Sequence, residues 1–392
     1  MVDARMRPRG WRAALAGLVV FAAGAGISSC TDSAASGGAL ARQSCAARAA
    51  AAAIGAVTLD NRLGAMWDTY RQTNKGWTGG DSVYAYDVPS LGRLWTFADA
   101  FVGGLLPGGA RIGTGMIHSM FVVQGSTGAF RVRWREHGNT TLLGPATGPV
   151  FYLSLGGEAS PNGFQELFTV RKLVGTGPLQ HEPVATVLAT FALPSLDLVR
   201  VKFLGGNPRA VVWGSYVTRF GGYSYIYGAS ALGFRKHAFV ARVAGTNLAN
   251  PWTYWDGHGW SAESSAARPF AVGIQQEYSV TLIRGVYVLV SSDGSTQPFS
   301  PYAGVSFGCS PTGPFTNYHR FLLSIEVGKY GASYWHLADV YVYDAMAQPA
   351  LAAPPGDIVI SYNRNSLYYI PAHNGALYLP GYLDLPLHIA AP

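Results

Sequence analysis

Trp77-Thr78-Gly79-Gly80-Asp81, then Leu94-Trp95-Thr96-Phe97-Ala98-Asp99, is the stretch from which the fold is read. A glycine pair delivers a carboxylate at the start of a strand. A turn at Pro89-Ser90-Leu91-Gly92 follows, and a second apolar strand ends in another carboxylate. Glycine lets backbone come close to a neighbour or a ligand, so Asp81 suits a crowded channel mouth. Two carboxylates at matching ends of adjacent strands is an arrangement that acid/base chemistry on sugars uses. The same residues also read as a plain β-hairpin with polar ends.

Outward from this stretch, a glycine followed by an aromatic strand recurs. The copies are Gly92-Arg93-Leu94-Trp95-Thr96-Phe97, Gly222-Tyr223-Ser224-Tyr225-Ile226-Tyr227, Gly285-Val286-Tyr287-Val288-Leu289-Val290 and Gly356-Asp357-Ile358-Val359-Ile360-Ser361-Tyr362, with a weaker one at Gly163-Phe164-Gln165-Glu166-Leu167-Phe168. Each is preceded by a strand that begins near a polar or small residue: Asp81, Glu158, Gly214, Glu277 and Asp344. Five units at roughly 60-residue spacing predict an all-β chain, a five-bladed β-propeller with one four-stranded sheet per blade. Inner strands would line a channel, and the aromatic second strands would be buried between sheets, hence their continuous apolar character. Trp252 to Trp260 reads as an outer strand and turn. One long β-sandwich, or two, is the competing architecture.

The N-terminus reads as targeting. Arg5, Arg7, Arg9 and Arg12 precede an apolar run from Ala13 to Ile27 that is short and glycine-rich for a membrane span. Ile27-Ser28-Ser29-Cys30 closes it and resembles the lipobox of bacterial lipoproteins; an ordinary signal peptide with a chance cysteine is the alternative. The expected organisation is a signal peptide over 1–29, an Ala/Ser/Gly-rich stem over 30–56 and the propeller over 57–392. Acylation of Cys30 would anchor an exported chain to the outer face of the bacterial cytoplasmic membrane. In the stem, the Ala-rich part can be helical. Asp60 then looks like an N-cap, and Leu63, Met66, Trp67 and Tyr70 recur at helical spacing, giving one short amphipathic helix.

The full chain of 392 residues is formally +7. Residues 1–29 carry four Arg and one Asp, so the mature chain is about +4, and no basic run is interleaved with aromatics; nucleic acid is not implied. Only 12% of residues are charged, beside 49 Gly, 22 Tyr and 10 Trp, which suits an exported, turn-rich β-protein and a monomer. With Cys30 lipidated, Cys45 and Cys309 remain, a disulfide candidate in an exported protein; two independent thiols are the alternative. His118, His181-Glu182, His237 and His336 share no metal-ligand spacing, so neither metal nor other cofactor is expected. Phosphate loops and a Gly-x-Ser-x-Gly elbow do not occur.

These pieces together resemble the five-bladed propeller group known as domain of unknown function 4185, common in actinobacteria, some of whose relatives are endo-D-arabinanases. The matching segments run in order after Trp77: Trp77 to Asp81, Leu94 to Phe101, His118 to Gln124, Leu188 to Pro194, Val212-Trp213-Gly214, Tyr223 to Gly228, Ala241-Arg242-Val243, Glu277 to Val280, Gly313-Pro314 and Ser361 to Ser366. The resemblance implies an active site at one channel mouth, with Asp81 as base or nucleophile and Asp99 as a second strand-end acid. The sequence departs from that pattern in three places. Gly228-Ala229-Ser230-Ala231 lacks a third-blade acid, Asp344-Ala345-Met346-Ala347-Gln348-Pro349 lacks a His pair, and the second-blade acid becomes Gly156-Gly157-Glu158.

The leading reading is a surface-anchored glycoside hydrolase acting on furanose-rich, arabinan-type cell-wall or capsular polysaccharide. Its proton donor would be Glu158 or Glu277. His118, Trp213, Tyr227, Asn363 and Asn365 are the substrate-binding candidates. The alternative is a carbohydrate-binding or scaffold propeller without catalysis; an adhesion protein ranks behind both.

Overall fold

The computed structural model describes residues 45–391, apart from 134–141, 145–147, 176–179, 207–209, 231–232, 234, 296–299, 324–339, 367–374 and 376. Cys30, the signal segment and His336 lie outside the described residues. The description concerns the unit Ala41–Pro392.

Each glycine-aromatic unit forms the second strand of a separate antiparallel sheet. Sheet one is ordered Tyr84–Val88, Gly92–Phe97, Met120–Gln124, Phe130–Arg133. Sheet two is Val150–Ser160, Gly163–Leu173, His181–Phe191, Leu198–Gly206. Sheet three begins Val211–Phe220, Tyr223–Ser230, Lys236–Ala244, and Thr253–Trp255 continues it. Sheet four is Tyr278–Ile283, Val286–Ser292, Tyr302–Gly308, Thr316–Leu322. Sheet five is Val340–Ala347, Asp357–Ser366, Gly381–His388 and Ala53–Ile54. A smaller three-stranded sheet, Gly76–Gly80, Ala100–Leu105 and Arg111–Ile117, sits beside sheet one.

The glycines that start the repeat have a steric reason. Gly92, Gly163, Gly222, Gly285 and Gly356 all have positive φ, which a hairpin between first and second strands requires and which only glycine adopts without cost. At Gly92 a Cβ would also lie 2.6 Å from the Gln124 carbonyl oxygen of the third strand.

Apolar residues sort into five buried layers, one between each neighbouring pair of sheets. Leu94, Phe121, Phe164 and Phe191 join sheets one and two. Leu167, Leu188, Val212 and Ile226 join two and three, Tyr227, Val240, Tyr278 and Val280 join three and four, and Val288, Val305, Val342 and Ile360 join four and five. Trp95, Val122, Val359 and Tyr382 join five back to one. An open stack of five sheets has four such layers; the fifth means that sheet five also packs on sheet one.

The expected helix forms over Asn61–Gln72. Its N-cap is Asp60, whose side chain accepts from the backbone N–H groups of Arg62 and Leu63. Trp67, fully buried, donates from Nε1 to the Tyr382 hydroxyl at 2.7 Å and packs on Trp77 and Trp95. The Ala-rich part of the expected stem forms the helix its alanines favour. Residues 45–51 are helical, and Ala53 and Ile54 pair with His388 and Leu387. Ala49 and Ala52 are buried in the layer between sheets four and five. Cys45 and Cys309 form a disulfide, Cα atoms 5.8 Å apart, that fastens this helix beside sheet four. Among the described residues no helix is long and apolar enough to cross a membrane.

Candidate functional site

Strand direction decides which residues share a rim. In every sheet the first strand starts, the second ends and the third starts at the same end of the molecule. Asp81 precedes the first strand of sheet one, Asp99 follows its second, and His118 precedes its third. Glu277 precedes the first strand of sheet four, and Asp344 lies within the first strand of sheet five. Arg171 lies near the end of the second strand of sheet two, with His181 and Lys236 at the starts of third strands.

Asp81 sits where the small sheet hands over to sheet one. Gly80 donates to the Tyr378 carbonyl at 2.8 Å, and Asp81 N–H donates to the Asp99 carbonyl at 2.9 Å. A Cβ on Gly80 would lie 2.8 Å from the Phe97 ring, so this approach needs glycine. The carboxylate is buried and takes three hydrogen bonds: Oδ1 from the Asp99 backbone N–H at 3.0 Å, Oδ2 from the Tyr343 and Tyr378 hydroxyls at 2.7 and 2.8 Å. Burial, with the neighbouring Asp99 charge, pushes its pKa up to about 7 against the opposing pull of those donors. Asp99 is the more open of the two and meets His118 Nδ1 at 2.7 Å; the His118 ring stacks on Phe151 at 4.2 Å.

A second carboxyl pair lies on the same rim. Asp344 occupies a β-bulge, where the register slips between Tyr343 and Met346, at φ +55°. The first strand of sheet three bulges likewise between Trp213 and Tyr216, and there Gly214 takes φ +114°. A left-handed aspartate in place of a glycine is strained backbone, the kind retained where a side chain has a task. Its Oδ2 accepts from Ser82 Oγ at 2.9 Å and Asn363 Nδ2 at 3.0 Å. Burial, with the adjacent Glu277 charge, holds the Asp344 pKa well above the carboxylate range. A carboxyl so buried beside another negative charge keeps its proton, so Asp344 is the protonated partner.

Opposite charge comes from Arg171. Its Nη1 meets His181 Nδ1 at 2.9 Å, and its field reaches Glu277, Asp99 and Asp344. His181 lies edge-on to Phe151, 5.5 Å between ring centroids, so Phe151 separates the Asp99–His118 pair from the His181–Arg171 pair.

The other candidates fall elsewhere. Glu158 is near the end, not the start, of the first strand of sheet two; it lies beside Ser224 and feels Arg219 of sheet three, at the opposite rim. The error is one of strand length: the strand starts at Val150, eight residues earlier than the position of Glu158 implies. Trp213 is buried among Phe239, Trp252 and Tyr254 and offers no ring face to a sugar. Tyr227 is wholly buried, its hydroxyl donating to the Pro311 carbonyl at 3.1 Å. Asn363 supports Asp344, whereas Asn365 accepts from the Ser366 N–H at 2.7 Å in its own strand. Asp344, Tyr343, Tyr378 and Arg171 were not among the candidates. Asp344 alone carried a signal, as the polar residue opening the fifth repeat; Tyr378 reaches Asp81 across 297 positions and carried none.

Among the described residues no three His, Cys, Asp or Glu side chains are placed to hold a metal ion. A cleft of about 630 Å³ beside the disulfide, lined by Phe307, Pro311 and Pro314 among others, lies away from these carboxylates.

The family model described as domain of unknown function (DUF5005) matches residues 65–382. The chain belongs to this family. The kinship to the 4185 group expected from the motifs stays a resemblance. A search of curated proteins finds no match. Among solved structures, the DUF5005 chain is similar to a candidate hydrolase of Bacteroides ovatus at 19% identity and TM-score 0.65, over 84% of this chain and 90% of that one. That likeness shows a shared fold. The α-L-arabinofuranosidase of Podospora anserina matches at 9% identity and TM-score 0.45, over 79% and 92%. The catalytic domain of the Coprinopsis cinerea α-L-arabinofuranosidase matches at 10% and 0.44, over 80% and 98%. Both are glycoside hydrolases of β-propeller fold. Superpositions this partial bear on neither substrate nor mechanism in the DUF5005 chain.

Proposed function

We propose that this chain is a glycoside hydrolase built as a five-bladed β-propeller, its five sheets being the blades. It acts as a monomer on furanose-rich, arabinan-type polysaccharide of a cell wall or capsule. The observation that carries this reading is the presence, on one rim, of two carboxyl sites with opposite proton duties. Glycosidic hydrolysis needs one carboxyl that gives a proton to the leaving oxygen and one that acts as base or nucleophile. Asp344, its pKa held well above the carboxylate range by burial beside Glu277, is the proton donor. Asp81 is the base or nucleophile, with Tyr343 and Tyr378 fixing its direction. Groups pushed apart in this way are how acid and base coexist in one site.

The test is release of oligosaccharides from wall arabinan and galactan by the mature chain. The rate should rise with pH through about 7 as Asp81 ionises. Asp81→Asn and Asp344→Asn should each lower it by about a hundredfold or more, the usual scale of a lost acid or base. Glycan binding without release from any polymer would instead make the chain a binding module, the reading favoured by the full engagement of Asp81 Oδ2 with two phenols.

Export and anchoring belong to the same proposal. The basic segment, apolar run and Ile27-Ser28-Ser29-Cys30 support lipid on Cys30 at the outer face of the cytoplasmic membrane. Cys30→Ser should move the protein from the membrane to the soluble fraction; unchanged membrane association rejects the anchor.

A further inference from the structure

Arg171 is a cation whose only hydrogen-bond partner among the described residues, His181, brings no negative charge. The ring of His181 has its pKa lowered by burial and by Arg171 itself, so it is neutral and its Nδ1 accepts from Nη1 at 2.9 Å. Arg171 Nε is buried and has no partner. No carboxylate of the described residues lies within ion-pair distance of the guanidinium. Its register opposite Phe151 places it on the rim that carries Asp99, Asp344 and Glu277. Lys236, whose ammonium donates to the Ser230 carbonyl at 3.1 Å, adds a second positive charge from the next sheet.

Arg171 is partly buried with its Nε out of solvent, and a guanidinium so placed gains most from a ligand that completes its donor fork, which planar oxyanions do bidentately. We propose that Arg171, positioned by His181, binds an anionic substituent of the saccharide, the carboxylate of a uronic acid or a phosphate ester, beside the carboxyl groups that act on the glycosidic bond. This rests on the hydrolase reading and narrows its substrate to an acidic polysaccharide. A purely structural cation, there to offset the acidic rim, would affect neutral and anionic ligands alike.

Titration calorimetry on the mature wild-type chain and on Arg171→Met separates the possibilities, with three probes: a galacturonate trisaccharide, a mannotriose 6-phosphate and neutral arabinotriose. Wild type should bind one of the two anionic probes about tenfold more tightly than the neutral one, and added salt should weaken that preference. Whichever anionic probe binds names the source. Arg171→Met should remove the preference while leaving arabinotriose affinity unchanged. Equal affinity for neutral and anionic probes, or equal loss of both in the variant, overturns the anion site and leaves the hydrolase reading standing. Binding of none of the three overturns both.

Discussion

At the scale of single residues, the acids of this protein are set by depth. Glu166, in the middle of a second strand, is fully buried between sheets one and two, where Ser154 Oγ donates to its Oε1 and Oε2 has no partner. Desolvation pushes its pKa up to about 8 from 4.5. Because the folded value is the higher, the folded protein keeps a proton that the unfolded chain gives up between those limits. The stabilisation is complete below about pH 4.5 and is lost as pH rises through about 8, in all a few kcal/mol by linkage. Glu166→Gln, which cannot ionise, should flatten the fall in urea midpoint between pH 5 and 8; a variant with the wild-type slope would place that dependence elsewhere. Depth also separates what could be read from the sequence. Asp81 and Asp99 were legible because glycines and turns bracket them. The tyrosines that hold Asp81 were not, since nothing near Tyr343 or Tyr378 marks a phenol that will turn towards a distant carboxylate.

Among elements, the hairpin glycines carried most of the legible fold. A positive φ obliges glycine at Gly92 and its four counterparts, reinforced at Gly92 and Gly163 by a carbonyl oxygen of the third strand, and the obligation repeats because the sheets do. The first strands were harder. Bulges at Ser154/Gly157, Trp213/Tyr216 and Tyr343/Met346 break their alternation, so their starts could not be counted back from the turns. That is how Glu158 was taken for a rim residue and Asp344 passed over. The helix over 45–51 was half legible: its alanines favour helix and Cys45 offered a bond to Cys309, whereas the docking of Ala49 between sheets four and five has no mark in the sequence. That bond closes a separation of 264 residues, and the chain-entropy model credits such a loop with about 5 kcal/mol. Replacing Cys45 and Cys309 together by serine should lower the thermal midpoint, and a reducing agent should do the same to the wild type. An unchanged midpoint in both would show that the helix docks without the bond.

For the molecule as a whole, the packing of sheet five on sheet one also fixes an order of events. The strand Ala53–Ile54 finds its partner only in Leu387 and His388, at the far end of the chain. The five hairpin units can form as each is delivered, since their pairings are local. The last edge cannot be covered until both termini have arrived, and such distant pairings are slow to form. The export proposed above, N-terminus first, would carry the chain with the strand Ala53–Ile54 unpaired and its edge exposed throughout. Removal of Leu387 and His388 would leave Ala53 and Ile54 in that half-made condition.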